Sequence, residues 1–158
     1  MEENEEYRQK LIAEYKRQIE PLLRYLPWLA QHNGMSVSSV YQGTETEQLT
    51  MKIPVYDGTL LTFVKLASKS PLMDRNYRYV YSRKRIRNHD DERKLITQAT
   101  WKEWDTLRGI LSYYVMGGQT KGSLWNEAVK EAIFYMVLSQ MKEIVEYWDQ
   151  PIEVGDKH

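Results

Sequence analysis

The densest chemical signal in the chain is basic and aromatic. Arg75, Arg78, Arg83, Lys84, Arg85, Arg87, Arg93 and Lys94 fall in one window, in which Asp90, Asp91 and Glu92 are the only acids. Tyr77, Tyr79 and Tyr81 are interleaved with the arginines. Guanidinium groups pair with phosphates and tyrosine rings stack on unpaired bases, so the mixture suits a nucleic-acid backbone or a single strand. The candidate nucleic-acid-binding residues are Arg75, Tyr77, Arg78, Tyr79, Tyr81, Arg83, Lys84, Arg85 and Arg87. The plainer reading is a solvated helix face whose arginines pair with the acids at 90–92.

A second candidate is the connector Gly117-Gly118-Gln119-Thr120-Lys121-Gly122. A phosphate loop of the G-x-x-x-x-G-K-[ST] kind follows a strand and has Lys, then Ser or Thr, directly after its last glycine. Here the order is Lys121-Gly122-Ser123 and a helical pattern precedes it, so that grammar fails. Free N–H groups at the start of the next helix still suit a small anion, with Gly118, Thr120, Lys121, Gly122 and Ser123 as candidate residues. The plain alternative is a helix-to-helix turn with glycine caps.

Other constellations are weaker. His89-Asp90-Asp91-Glu92 offers one imidazole and three carboxylates, but His32 and His158 give no ligand spacing, and acids are favoured at a helix start without any metal. No metal site is expected. Glu127 with Glu131, and Asp105 with Arg108, read as ordinary helix-surface charges. Ser112, Ser123 and Ser139 lie in helical contexts with no histidine partner suggested by spacing. The sequence assigns no catalytic residue and no cofactor.

The elements that hold these residues are mainly helical. Thr100-Trp101-Lys102-Glu103 fits a capping box, followed by Trp101, Trp104, Leu107, Leu111, Tyr114 and Val115 at steps of three and four. Gly117 and Gly118 are expected to stop that helix with left-handed backbone. Ser123 is a plausible N-cap for a second helix. Its apolar stripe runs through Trp125, Val129, Ile133, Val137, Met141, Val145 and Trp148 almost without a gap. A helix apolar over so wide an arc is packed on several sides, so residues 124–148 are expected to form one buried central helix. Asp57 should cap a helix through Leu60, Phe63, Val64 and Ala67. Residues 74–87 read better as a helix with Tyr77, Val80 and Tyr81 on one face than as a strand. A short strand pair near 49–56 and 77–86 is the alternative. Pro21 and Pro27 should punctuate the first helical run, and residues 34–52 are polar and read as loop.

Composition bounds the rest. The 158 residues carry 22 basic and 22 acidic side chains and no cysteine, so there is no thiol chemistry and no bulk charge to attract nucleic acid or membrane. The acidic N-terminus lacks the apolar core of a secretory signal, and the longest apolar run is far short of a membrane span. A cytoplasmic chain with no membrane partner is expected. Its domain plan is an acidic helical extension over 1–18, one helical domain over 19–149 and a frayed tail over 150–158.

The segments PVYDGTLLTFV (54–64), LMDRNYRYVYSR (72–83), GILSYYVMGGQTKGSLW (109–125) and AVKEAIFYMVLSQMKE (128–143) resemble a functionally uncharacterised family of small bacterial proteins. The likeness covers roughly residues 19–148. It implies a bacterial, intracellular, mainly helical single domain and transfers no site residue. The combined expectation is a mainly α, compact multi-helix domain acting as a binding or interaction module. Its expected partner is an unidentified protein or a second copy. The alternatives are a nucleic-acid-binding accessory protein using 75–87, and a small enzyme or anion-binding protein at the 117–123 loop.

Overall fold

The computed structural model describes residues 2–35, 38–40 and 54–149. In chain order the elements are α1 (Glu2–Leu23), α2 (Leu26–His32), β1 (Ser38–Val40), β2 (Pro54–Tyr56), α3 (Gly58–Ser68), α4 (Tyr77–Arg83), α5 (His89–Gln98), a 3₁₀ turn (Trp101–Glu103), α6 (Trp104–Gly117), α7 (Ser123–Lys130) and α8 (Ile133–Asp149). The chain is mainly helical, and α8 is its hub, packed against α1, α2, α5, α6 and α7. Ile133, Phe134, Val137, Leu138 and Met141 on α8 are fully buried, as the unbroken apolar stripe requires.

Local chemistry sets most of the helix starts. The Asp57 carboxylate accepts the Thr59 N–H at 2.7 Å to open α3, and Asn88 accepts the Asp91 N–H at 2.8 Å to open α5. At the 3₁₀ turn Glu103 reaches back to the Thr100 N–H at 2.8 Å, completing the capping box that leads into α6. Pro21 lies inside α1, which ends two residues later at Leu23, and Pro27 opens α2, where its missing N–H costs nothing. Along α1, Ile12 and Ile19 are fully buried, and Tyr15 stacks on Trp104 with ring centroids 4.0 Å apart. The acidic N-terminal segment thus runs without interruption into a packed helix.

Three expectations differ from what is found. First, the strand pair joins β1 to β2, antiparallel, with Ser39 opposite Val55; residues 77–83 are helix and take no part. Residues 49–53 lie outside the described set, as do the 150–158 tail and the Trp148 side chain. Second, Gly118 ends α6 with φ −68, in ordinary right-handed backbone. Its small size serves a different end. A Cβ there would meet the Trp125 ring at 2.1 Å, and Trp125 donates its indole N–H to the Val115 carbonyl at 3.1 Å. Glycine lets the indole lie across the end of α6. Likewise Ser123 is the first residue of α7 rather than its cap, and no side chain caps that end.

Third, the expected central rod over 124–148 is two helices. Ala132 has φ 64, a left-handed conformation that ends α7 and redirects the chain into α8. The break frees carbonyls at the end of α7, and distant groups take them up. The Gly34 N–H donates to the Lys130 carbonyl at 3.0 Å, and Arg93 Nη2 donates to the Glu131 carbonyl at 3.1 Å. Periodicity did not reveal the break because alanine is a good helix former and the stripe continues in phase on both sides.

Among the described residues, no helix is long and apolar enough to cross a membrane. The break sets a test. In a helix interior, alanine to glycine costs about 1 kcal/mol, whereas at a left-handed position glycine relieves Cβ strain of about 1–2 kcal/mol. Ala132→Gly is therefore expected to leave stability unchanged or raise it by up to about 1 kcal/mol in denaturant unfolding. A loss of that size would mean that the helix is continuous.

Candidate functional site

The basic stretch folds as the short helix α4 and its exit turn. Tyr77, Val80 and Tyr81 face inward, where Val80 abuts Gly109 so closely that a Cβ on Gly109 would come within 2.7 Å of it. Tyr81 stacks on Tyr113 at 4.4 Å between centroids, and Tyr77 meets Tyr113 edge-on at 5.8 Å. Arg75, Arg78, Tyr79, Arg83, Lys84, Arg85 and Arg87 are exposed, with Tyr79 at 64%. Of the three interleaved tyrosines, then, only Tyr79 stands in solvent. Among the described residues Arg75, Arg83, Lys84 and Arg85 make no ion pair, and Arg87 lies 3.7 Å from Asp91. Arg93 is withdrawn from the ribbon by Glu131 at 2.6 Å and Asp90 at 3.3 Å.

The turn after α4 has a defined geometry. Arg85, at φ 56, donates its N–H to the Ser82 carbonyl at 3.2 Å, and the Ile86 N–H reaches the Tyr81 carbonyl at 3.0 Å. These are the two bonds of a Schellman motif, with arginine at the position that usually holds glycine. The motif turns Ile86 inward, where it is buried, and leaves the Arg85 and Arg87 side chains outside.

Behind the ribbon lies a cavity of about 230 Å³, bordered by α4, α5, α6 and α7. Its floor is Glu92, only 3% exposed. A buried carboxylate requires donors, and it has three. Tyr81 donates at 2.5 Å, Tyr114 at 2.8 Å, and His89 Nδ1 stands 2.7 Å from the other oxygen. His89 Nε2 in turn faces Glu127 on α7 at 3.1 Å. Both imidazole nitrogens thus point at carboxylates, and both bonds form together only when each nitrogen carries a proton. Burial first, and then the negative charge of Glu92, hold the Tyr81 and Tyr114 hydroxyls well above the usual tyrosine range. Tyr113 is raised too, by burial and then by Glu127 and Glu92.

Sequence reasoning placed Tyr81 on a nucleic-acid face, weighed His89 and Glu92 only as metal ligands, and passed over Tyr113, Tyr114 and Glu127 as site residues. The available signal was the three-residue spacing of His89 and Glu92, which puts both on one helix face; their partners lie 11 to 38 residues away. Among the described residues no group of His, Cys, Asp and Glu is arranged to hold a metal. Ser112, considered for nucleophilic chemistry, accepts the Asp74 N–H at 2.8 Å and is fully buried.

At the second candidate loop, the N–H groups of Gly118, Gln119, Thr120 and Lys121 all donate to carbonyls at the end of α6. The Thr120 hydroxyl also bonds the Gly117 carbonyl. None of those four N–H groups remains for an anion. Gly122 occupies the N-cap position of α7, Ser123 is its first residue, and Lys121 is exposed.

No protein-family model matches the chain, and no match was found among curated proteins or solved structures.

Two outcomes follow, one from the tyrosines raised by burial and one from Glu92. Tyr15 is pushed up to about 12, mainly by burial, and Tyr81 and Tyr114 lie higher still. The unfolded chain releases these protons near pH 10 while the folded chain retains them. The stability they contribute is complete below pH 10 and declines as pH rises beyond it. A tyrosinate absorbance titration should show these side chains ionising only as the fold melts. Replacing Glu92 with Ala should cost about 3–5 kcal/mol, because two buried hydroxyls and an imidazole lose their acceptor at once. Urea denaturation of that variant reads the loss directly.

Proposed function

We propose that the chain is a binding module whose partner is single-stranded nucleic acid, taken on the ribbon formed by α4 and its exit turn. The observation behind this reading is the run of exposed cations, Arg75, Arg78, Arg83, Lys84, Arg85 and Arg87, most without an acidic partner among the described residues. On a chain of zero net charge such a run is a local excess, and a cationic strip attracts a phosphate backbone by releasing its counterions. Tyr79, standing in solvent among these arginines, supplies one ring for base stacking. Tyr77 and Tyr81 stack inward and belong to the scaffold of the ribbon. The cytoplasm, with its nucleic acids and reducing milieu, is the compartment this reading implies for a cysteine-free chain. For the alternative of a protein partner, the exposed large apolar residues among the described ones are Tyr7, Met35, Leu61, Tyr79 and Tyr147, carried by five different segments of the chain.

Fluorescence anisotropy with a labelled oligothymidine strand tests the reading. Affinity should fall with salt, at a log–log slope of about −0.7 per phosphate contacted. Arg83→Glu with Arg85→Glu should abolish binding, and Tyr79→Ala should weaken it by about 1–3 kcal/mol. Absence of binding at low salt, or binding indifferent to the double charge reversal, would overturn it.

A further inference from the structure

The cavity behind the ribbon is open to solvent yet unused by the nucleic-acid reading. Its volume of about 230 Å³ falls below the roughly 300–1,000 Å³ of sites for drug-sized ligands, so it admits only a small molecule. Its walls combine aromatic and charged groups. Tyr81 and Tyr113 present aromatic surface, Glu92 and Glu127 present carboxylates, and His89 and Arg87 also line it.

The two acids play different parts. Glu92 has its oxygens occupied by Tyr81, Tyr114 and His89 and is 3% exposed, so it acts as a fixed negative charge in the floor. Glu127 is open: its side chain is 39% exposed, and only Oε2 is engaged, by His89. Among the described residues Glu127 Oε1 and the Tyr113 hydroxyl have no hydrogen-bond partner, although both residues line the cavity. Burial first, and then these carboxylates, keep the three tyrosines neutral. His89 offsets at most one of the two carboxylates, and the negative charge that remains favours a positive guest. Arg87 also lines the cavity, but its side chain is 82% exposed and its guanidinium lies 3.7 Å from Asp91.

We propose that this cavity binds a small organic ammonium ion, with Glu127 Oε1 as its counter-ion and Tyr81 and Tyr113 as its aromatic wall. Glu92 takes no part in direct contact. It positions His89, and His89 holds Glu127 in place through Oε2. The site recognises charge and compact shape; it borders the ribbon at Tyr81 and Arg87 and differs from it in the sign of its charge.

Choline and n-butylammonium, each paired with its neutral counterpart (3,3-dimethyl-1-butanol and n-butanol), serve as probes in calorimetry and in NMR of the full chain. At least one ammonium should bind, shifting the Tyr113 and His89 ring signals, with its neutral counterpart at least about tenfold weaker. Glu127→Gln, a change at a half-exposed side chain that preserves shape, should weaken the ammonium by about tenfold or more. Tyr113→Leu should weaken it as well. Arg83→Glu with Arg85→Glu should leave it intact, so failure of the nucleic-acid reading and failure of this one are told apart. The proposal is overturned if neither ammonium shifts those signals at millimolar concentration, if the neutral isosteres bind as well, or if Glu127→Gln retains full affinity.

Discussion

A charged carboxylate buried inside a small helical domain is the constraint on which the working end of this molecule rests. Glu92 would be costly at 3% exposure without donors, and its three donors come from three elements: Tyr81 from α4, Tyr114 from α6 and His89 from the first turn of its own helix. The consequence for α4 is large. A seven-residue helix has no stability of its own, and α4 contains no fully buried residue. Its position is fixed by the Tyr81–Glu92 bond, the close approach of Val80 to Gly109, and the stacking of Tyr77 and Tyr81 around Tyr113. The exposed arginines therefore take their geometry from a carboxylate they never touch.

The break at Ala132 supplies the other half of the arrangement. By ending α7 there, the chain keeps α8 as the hub of the core and leaves α7 free to lie along α6, with Glu127 directed at His89. Freed carbonyls are tolerable only when taken up, and they are, by Gly34 from the segment after α2 and by Arg93 from α5. Arg93 thereby performs two tasks. It closes the end of α7 through the Glu131 carbonyl and carboxylate, and it leaves the basic window to do so.

What could be read in the sequence was local. Asp57 and Thr100 act within three residues of themselves, so their caps were visible, and the i, i+3, i+4 stripe of 133–145 announced a buried helix. Helical phase likewise separated Tyr77, Val80 and Tyr81 from the exposed side of α4. What escaped notice was non-local or depended on space rather than type. A stripe that stays in phase across 131–132 hides a left-handed alanine, and Gly118 looks like a stop signal although it is small to admit Trp125. The cavity draws on residues from 81 to 127, and Glu127 resembles any helix-surface acid until α7 is seen beside α5. The segments 54–56 and 38–40 pair across a long connection, which no short-range pattern encodes.

Opposite charges close together on a neutral chain should collapse into ion pairs, and the local geometry explains why they do not. At the border between ribbon and cavity the Schellman turn sends Ile86 in and leaves its basic neighbours Arg85 and Arg87 exposed. Arg87 is the cation best placed to fall back upon Glu92 or Glu127. Its backbone N–H is instead bound to Asp91 at 2.9 Å, and its guanidinium leans to the same carboxylate. Glu92 offers no vacancy in any case, because two tyrosines and an imidazole occupy it. The two hydroxyls stabilise the buried anion without cancelling its charge, and His89, bonded to Glu92 and Glu127 at once, offsets at most one of the two carboxylates. A net negative charge thus persists at the cavity while the cations remain available at the surface.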